Sequence, residues 1–401
     1  MNYNKSFSLS LQKELQKRNL DMDSEINKAL RELRMKSLLN RCGIAKRRGY
    51  VTITLFYLVV LLPFLRRSLT AFWSQESLCK SFEARKDTYY RFLNHERFNW
   101  RRLVCLLATR LISSTDDVPL RQKVLIADDT IVPKTGKNME MVSYHFDHKV
   151  KKSVLGYQCL QLGYHNGTNF FPVDLACHTS RKRPNNRMRN IDKRTNGWRR
   201  RKETLEKKTD VLIEMVRRAW SSGIDASFVL FDSWFAHDSV ISQIVSVGYG
   251  VICRLKAGKV KYTYQGQPYT LKQLWQQVAK KRTQWISESR FKGVCLNVTL
   301  PKSGDVRILF VSDGKNQWGA LLSTDLELEA SEILTYYAYR WPIEVFFKDA
   351  KQILYLGKEQ SETFDAAITC YRLVMVRYLL LVYILSTSIT SQVRLDRCFE
   401  I

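Results

Sequence analysis

The sequence has no pair of cysteines at the close spacing that zinc sites and disulfide frameworks require. Its nine cysteines are scattered at positions 42, 79, 105, 159, 177, 253, 295, 370 and 398. Structural zinc sites and small disulfide-rich domains need clustered cysteines. The pattern therefore excludes both classes and favours a reduced cytosolic protein with buried thiols.

Long uninterrupted apolar runs are also missing. Residues 51–65 are mostly apolar but include a proline, and they fall short of the roughly twenty residues that span a bilayer. Residues 371–389 form a longer run, but Arg372 and Arg377 would each be costly in the middle of a membrane. Residues 1–50 lack the apolar segment of a signal peptide. We therefore predict two buried helices and no membrane partner.

Acidic residues are few compared with basic ones. The 401-residue chain carries 65 Lys or Arg against 38 Asp or Glu, a net charge of +27. Such an excess favours a polyphosphate partner, with an anionic membrane surface or a ribosomal scaffold as alternatives. Residues 181–208 contribute 13 Lys or Arg and 3 acidic residues, which predicts a mobile basic loop. Within it, Arg199, Arg200 and Arg201 are the predicted contacts to the DNA backbone.

The first 120 residues are predicted to be helical throughout and to form a DNA-binding region. Leucines and isoleucines recur there at helical spacing among charged residues, and Pro and Gly are sparse. Residues 87–102 interleave aromatic residues with arginines. This pattern fits a helix that grips a duplex, and equally an amphipathic helix whose aromatic side chains face the core.

Beyond residue 120 the pattern predicts an α/β fold. Strands are expected at 123–129, 156–165, 169–178, 227–231 and 249–255, and helices at 199–222, 237–247 and 329–352. This order is that of a ribonuclease-H-like core, a mixed five-stranded sheet with flanking helices. The core would occupy residues 121–256 and 326–401, with C-terminal helices at the end. A β-rich insertion at 257–325 would precede the last catalytic helix.

Three carboxylates fall where such a core would bring them together. Asp129 follows the first predicted strand, Asp232 follows the fourth, and Glu344 lies on the last helix. Taken singly, an Asp after a strand is more often a turn or capping residue. Phosphodiester cleavage by two metal ions, however, needs oxygen ligands on a rigid frame. Together the three residues predict a catalytic metal site.

The last helix carries the most specific motif in the chain, Tyr-x2-Arg-x3-Glu-x6-Lys. Tyr337, Arg340, Glu344 and Lys351 match it without a gap, and spacings of three or four place them on one helical face. The motif resembles the signature of the insertion-sequence-four family of DDE transposases. The blocks around Asp129 and Asp232 resemble that family's two aspartate blocks, in the same order. Asp128 lies beside Asp129 and stays an alternative first ligand.

The resemblance implies a cut-and-paste transposase acting as a homodimer on paired inverted-repeat ends of double-stranded DNA. Asp129, Asp232 and Glu344 would bind two Mg²⁺ ions, which Mn²⁺ can replace. Tyr337, Arg340 and Lys351 would hold phosphates, as would Arg254, and Trp318 would stack on a flipped base. An insertion-sequence enzyme would work in the prokaryotic cytosol, at the nucleoid. Two alternatives remain: a ribonuclease-H-like nuclease that cuts without joining, and an inactive DNA-binding regulator derived from a transposase.

Overall fold

The structure is a computed structural model of the full chain. It describes residues 21–46, 48–75, 82–115, 118–148, 150–180, 188–314 and 317–398, with side chains described as far as residue 387. Residues 181–187, which belong to the predicted mobile loop, lie outside the described residues.

The N-terminal region is helical where it is described, as predicted. Its helices are α1 (Met22–Glu32), α2 (Met35–Arg41), α3 (Thr52–Leu61), α4 (Leu69–Trp73), α5 (Lys86–Leu93) and α6 (Trp100–Ser114). Six of the ten residues of helix α3 are buried, which confirms a core helix in the apolar run at 51–65. Tyr89, Phe92, Phe98 and Trp100 are also buried, the last three in mutual ring contact. Most aromatic side chains of residues 87–102 therefore face the core, and Tyr90 is the exposed exception.

Six strands form the central part of one large mixed sheet. They are β1 (Val124–Pro133), β2 (Ser143–Asp147), β3 (Lys152–His165), β4 (Phe170–His178), β5 (Phe228–Phe231) and β6 (Gly250–Leu255). β3 pairs antiparallel with β1, β2 and β4, whereas β1, β5 and β6 are mutually parallel neighbours in that order. The five predicted strands are present in their predicted places. The short strand β2 was not predicted.

The first strand is longer than predicted. It was expected to end at Asp129, but β1 continues through Thr130, Ile131 and Val132 to Pro133. These three β-branched residues favour extended backbone and continue the pairing with β3. The two aspartates therefore lie within the strand and not at its end.

Residues 257–325 are rich in strands and extend the same sheet. They contain β7 (Lys261–Tyr264), β8 (Gln267–Thr270), the short helix α10 (Leu271–Leu274), β9 (Gln284–Trp285), β10 (Lys292–Leu300), β11 (Gly304–Ser312) and β12 (Trp318–Ser323). β12 pairs antiparallel with β6, and the order continues through β11 and β10 to β7 and β8. The insertion is thus hydrogen-bonded to the strands that precede it.

The remaining helices are α7 (Asn196–Thr204), α8 (Lys208–Ser221), α9 (Asp238–Val247), α11 (Ala330–Ala338), α12 (Trp341–Gln352) and α13 (Phe364–Cys398). Two helices predicted as continuous are each broken in two, at 199–222 and at 329–352. The second break has a clear cause, because Pro342 lacks an N–H and its ring excludes the preceding helical turn. Pro342 is the second residue of α12, and Glu344 lies in the first turn of that helix, as predicted.

Helix α13 joins the N-terminal helices to the sheet. It packs on α1, α5, α6 and β4, and Arg377 donates hydrogen bonds to the backbone carbonyls of Val59 and Val60 in α3. Phe364–Thr387 is long and apolar enough to cross a membrane by length and composition only, and 83% of its most apolar window is buried inside the protein. The core helix of a soluble protein passes the same test, so this segment is weak evidence for a membrane span.

Candidate active site

Asp128 and Asp129 lie on opposite faces of β1. Successive side chains of a strand alternate between the two faces of the sheet. Asp128 shares its face with Thr130, whose hydroxyl accepts a hydrogen bond from Lys351 Nζ at 2.7 Å. That face is covered by α12, the helix that carries Glu344. Asp128 therefore projects toward the helix that carries the glutamate, whereas Asp129 projects to the opposite face, although it also borders the cavity described below.

Arg340 links Asp128 to Glu344. Its Nη1 donates to Asp128 Oδ2 at 2.8 Å, and its Nη2 forms an ion pair with Glu344 Oε1. Arg340 is the residue before α12, so Glu344 follows it by one helical turn. Both carboxylates are thus held by one planar guanidinium.

Asp232 reaches the same place from the neighbouring strand. It directly follows β5, which lies beside β1 in parallel, and its Oδ1 accepts a hydrogen bond from the backbone N–H of Trp234 at 2.9 Å. This turn fixes the aspartate side chain at the strand end. The topology thus brings Asp128, Asp232 and Glu344 from three separate segments to one site.

These side chains line a cavity of about 460 Å³. Its lining consists of Asp128, Asp129, Thr130, Asp232, Ser233, Arg254, Tyr337, Arg340, Glu344, Phe347, Lys348 and Lys351. All four residues of the Tyr-Arg-Glu-Lys motif are included, together with Arg254. The structure therefore brings together eight of the sequence-selected residues, counting both aspartates of the first block.

The carboxyl group of Asp128 is buried beside other carboxylates in the cavity. Burial raises the pKa of Asp128 to about 6, against the lowering effect of Arg340, and the negative charges of Asp232 and Asp129 add to the rise. A carboxyl group in a cleft whose pKa is shifted by burial and by a specific charge partner is typical of a functional site. Burial also raises the pKa of the Tyr337 phenol to about 12, so this hydroxyl is a hydrogen-bond donor at neutral pH.

Asp129 has a different set of partners on the other face of β1. Its Oδ2 accepts hydrogen bonds from Lys208 Nζ at 2.6 Å and from Gln158 Nε2 at 3.0 Å. The Lys208 ammonium also lies 3.7 Å from the ring centre of Trp234. Lys208 was missed at the sequence level, because nothing in its local sequence distinguishes it from the other lysines of a basic stretch.

The donor chemistry of the cavity suits magnesium, which prefers carboxylate oxygens. Among the residues that the structure describes, however, no three His, Cys, Asp or Glu side chains are grouped closely enough to hold a metal ion. The Arg340 guanidinium forms ion pairs with Asp128 and Glu344, the two carboxylates that would have to approach each other to bind a metal ion. The carboxylates are therefore the right type of ligand for a divalent cation, but in this structure Asp128 and Glu344 are spaced to form ion pairs with Arg340.

Two of the three predicted DNA contacts in helix α7 are buried. Arg201 is fully buried and Arg200 is 4% exposed. Arg201 pairs with Glu140 at 2.7 Å and with Asp365 at 2.8 Å, and Arg200 Nη1 lies 3.3 Å from Asp365. The prediction that these two arginines contact DNA is therefore wrong. Arg199 is exposed and remains a candidate.

Trp318 lies in the insertion and is not among the residues that line the cavity. Its ring stacks on Trp275 with 5.3 Å between ring centres and 12° between planes, and it packs against Phe310. One face of the indole is therefore already covered. Its role in stacking on a flipped base stays a prediction.

A strongly basic segment in the insertion was overlooked. Residues 254–292 contain ten Lys or Arg and a single acidic residue, Glu288. Trp285 on β9 is 68% exposed, and the Lys292 ammonium lies 5.0 Å from its ring centre. A charge count over this window, like the one applied to residues 181–208, would have found it. The segment begins at Arg254 in the cavity and continues along the insertion.

A cleft of acidic residues bordered by cations, on neighbouring parallel strands, defines a nuclease-type enzyme site. A sequence profile of the family described as DDE superfamily endonuclease matches residues 44–284, which is more than half of the chain. The protein belongs to the DDE superfamily endonucleases. Its mixed α/β fold is compatible with that family, whose substrate is DNA and whose members generally depend on divalent metals.

The matched range includes Asp128, Asp129 and Asp232 but ends before Glu344. The glutamate is therefore assigned to the site by the structure, through its ion pair with Arg340 and its place in the cavity lining. No curated protein matches the chain.

Proposed function

We propose that this protein is a cut-and-paste DNA transposase of an insertion sequence, similar to the insertion-sequence-four family. It would cut DNA at terminal inverted repeats and join the freed ends to a target. The observation that carries this proposal is the cavity in which Asp128, Asp232 and Glu344 adjoin Tyr337, Arg340 and Lys351. A cutting site needs the carboxylates, and retention of the cut end needs the cations.

The sheet supports a ribonuclease-H-like core. Strands β4, β3, β1, β5 and β6 lie in that order, with β3 antiparallel to β1 and the last three strands parallel. This is the arrangement expected of such a core, with the insertion joined to its edge at β6. The proposed catalytic units are residues 121–256 and 326–401, with the insertion at 257–325 and a DNA-binding helical region at 1–120.

The proposed metal ligands are Asp128, Asp232 and Glu344, for two Mg²⁺ ions that Mn²⁺ can replace. Asp128 takes the place of the sequence-selected Asp129, because Asp129 is bonded to Lys208 on the opposite face of β1. Bound metal ions would supply Lewis acidity to the attacking and leaving oxygens. The chain itself supplies the rigid strand ends and the helix that hold the ligands.

Phosphate contacts are proposed for Tyr337, Arg340, Lys351 and Arg254, all of which line the cavity. The exposed cations of residues 254–292 would extend the contact along double-stranded DNA. The family resemblance adds the last parts of the proposal. The protein would act as a homodimer on paired DNA ends, in the prokaryotic cytosol and without a membrane partner.

The test is a cleavage assay on DNA that carries the inverted repeats flanking the coding sequence, in Mg²⁺, with wild type beside Glu344→Gln. We expect the wild type to nick the repeat boundary and the variant to bind the DNA without nicking it. A metal ligand that has lost its charge no longer supports cleavage, whereas DNA binding depends on cations dispersed over the surface.

The same assay separates joining from simple cutting. The labelled end is followed into a target plasmid, and joined product from the wild type supports a transposase. Nicking without joined product for any target would support the alternative that the protein is a nuclease. DNA binding without nicked or joined product would support the alternative that the protein is an inactive DNA-binding regulator.

A further inference from the structure

Arg340 holds the two carboxylates that the proposed metal site needs. Its two terminal nitrogens are bonded separately, Nη1 to Asp128 and Nη2 to Glu344. The Arg340 side chain is only 18% exposed, and its guanidinium lies between a strand residue and a helix residue. Such a two-sided arrangement uses the planar fork of arginine, which a lysine ammonium cannot reproduce.

Arg340 takes up one oxygen of each of the two carboxylates that the proposed metal site needs. Asp128 offers Oδ2 to the arginine, and its Oδ1 already accepts the backbone N–H of Asp129 at 2.9 Å. Glu344 offers Oε1. A carboxylate oxygen that accepts a charged hydrogen bond from a guanidinium at ion-pair distance leaves little room for a cation on the same side. Arginine and metal therefore compete for one set of oxygens.

Once displaced from the carboxylates, Arg340 would lie among other cations of the same cavity. Lys348, Lys351 and Arg254 line the wall around it, which makes that wall strongly positive. An arginine released from two carboxylates into such surroundings gains most from a bound phosphate, which it can grip with two nitrogens.

We propose that Arg340 is a positioning residue that exchanges partners. It neutralises and separates Asp128 and Glu344 until a divalent cation takes their oxygens, and it then binds a phosphate of the DNA. This inference rests on the proposed function, because it takes the metal site and the DNA substrate as given. It adds that metal binding and DNA binding assist each other through one side chain, which linkage makes reciprocal.

The first measurement is Mn²⁺ affinity in the absence of DNA, read by the electron paramagnetic resonance of free Mn²⁺ with the full-length chain. We expect Arg340→Ala to bind Mn²⁺ at least about tenfold more tightly than wild type, because the competing cation is gone. Arg340→Lys should fall between the two, since lysine keeps the charge but cannot bridge both carboxylates. Thermal melting checks that each variant is folded.

The matched control is Lys348→Ala. Lys348 is an exposed cation in the same cavity wall, so its removal changes the local charge by the same amount. We expect a rise in Mn²⁺ affinity of about twofold at most, from the general electrostatic effect alone. A rise equal to that of Arg340→Ala would overturn the specific exchange.

The second measurement is the affinity for a labelled duplex by fluorescence anisotropy, with and without Mn²⁺. In the wild type Mn²⁺ should tighten DNA binding severalfold, because it releases Arg340 to a phosphate. In Arg340→Ala this enhancement should disappear. An enhancement that persists unchanged in the variant would overturn the proposal.

Failure of the inference is distinct from failure of the proposed function. If Asp232→Asn removes Mn²⁺ binding but Arg340→Ala leaves the affinity unchanged or weaker, the metal site stands and the exchange is wrong. If the wild type binds no Mn²⁺, or Asp128→Asn, Asp232→Asn and Glu344→Gln all bind it as the wild type does, the proposed metal site itself is wrong.

Discussion

Asp128 and Asp129 are neighbours in sequence but have different chemical surroundings. Asp128 faces Arg340 and α12, and the negative charge of Asp232 contributes to its raised pKa. Asp129 faces Lys208 and Gln158 on the other side of the sheet. Because the strand alternates, one residue of register decides which carboxylate joins the glutamate.

This difference predicts different costs for two otherwise equal substitutions. Asp128→Asn should reduce DNA cleavage to background, because it removes the charge of a metal ligand. Asp129→Asn should lower cleavage by only about 10- to 100-fold, as is typical when a supporting side chain near a metal site is changed. The measurement is the initial rate of nicking, with DNA affinity as the check on folding. An active Asp128→Asn beside an inactive Asp129→Asn would restore Asp129 as the ligand.

At the scale of elements, the helix break before α12 and the insertion shape the site. Because of the break at Arg340, α12 is a separate helix from α11. Its Lys351 contacts Thr130 of β1, and Glu344 and Lys351 both line the cavity. The insertion adds a basic, exposed extension that starts at Arg254 in the cavity. Helix α12 therefore lines the cavity directly, whereas the insertion extends from the strand that carries Arg254.

The insertion is predicted to supply DNA contacts that the buried arginines of α7 cannot. Replacing Lys280, Lys281 and Arg282 together by Ala should weaken binding to all duplex sequences alike. It should also reduce the slope of log affinity against log salt by about 0.9 for each phosphate that the protein no longer neutralises. Anisotropy titrations at several salt concentrations measure both quantities. An unchanged slope would mean that this surface does not face DNA.

A matched comparison is available in helix α7. The same titration on Arg199→Ala reports whether the one exposed arginine of that helix contacts phosphate. A slope change of about 0.9 would retain Arg199 as a DNA contact, and no change would remove the last of the three original candidates in this helix.

At the scale of the whole molecule, a buried ion-pair network ties distant segments together. Arg201 in α7 pairs with Glu140, between β1 and β2, and with Asp365 at the start of α13. Glu140 also accepts hydrogen bonds from the backbone N–H groups of Arg189 and Phe364. The network connects the basic segment, the central sheet and the C-terminal helix.

Arg201→Met should lower the free energy of unfolding by about 3–5 kcal/mol, because it leaves two carboxylates without their buried partner. Chemical denaturation of the full chain measures the decrease. The control is Arg194→Ala, whose ion pair with Asp192 is at the surface and should contribute nothing measurable. Equal stability of Arg201→Met and wild type would show that the network has no net stabilising effect.

The stabilisation by this network should also depend on pH. Burial raises the pKa of Glu140, but hydrogen bonds from Arg201 and from backbone N–H groups lower it by more than burial raises it. The pKa of Glu140 in the folded protein therefore lies below its ordinary value of 4.5. A lowered folded-state pKa means that the contribution is fully present above about pH 4.5 and is lost as the pH falls. The stability difference between wild type and Arg201→Met should therefore shrink on acidification below that pH.

The sequence by itself determined the elements and the chemistry available to them. Hydrophobic patterning predicted the five core strands and the buried helices, because strand and core periodicities are local properties. The spacing of Tyr337, Arg340, Glu344 and Lys351 indicated the catalytic helix. The charge balance indicated a polyanionic partner.

Only the tertiary structure decided how identical residue types are used. Arg199 is exposed while Arg200 and Arg201 are buried, because Glu140 and Asp365 come from distant parts of the chain to neutralise the two buried guanidinium groups. Asp128 rather than Asp129 faces Glu344, because α12 packs on one face of β1 and α8 presents Lys208 to the other. Ion pairing and burial depend on partners that are remote in sequence, so local patterns do not determine them.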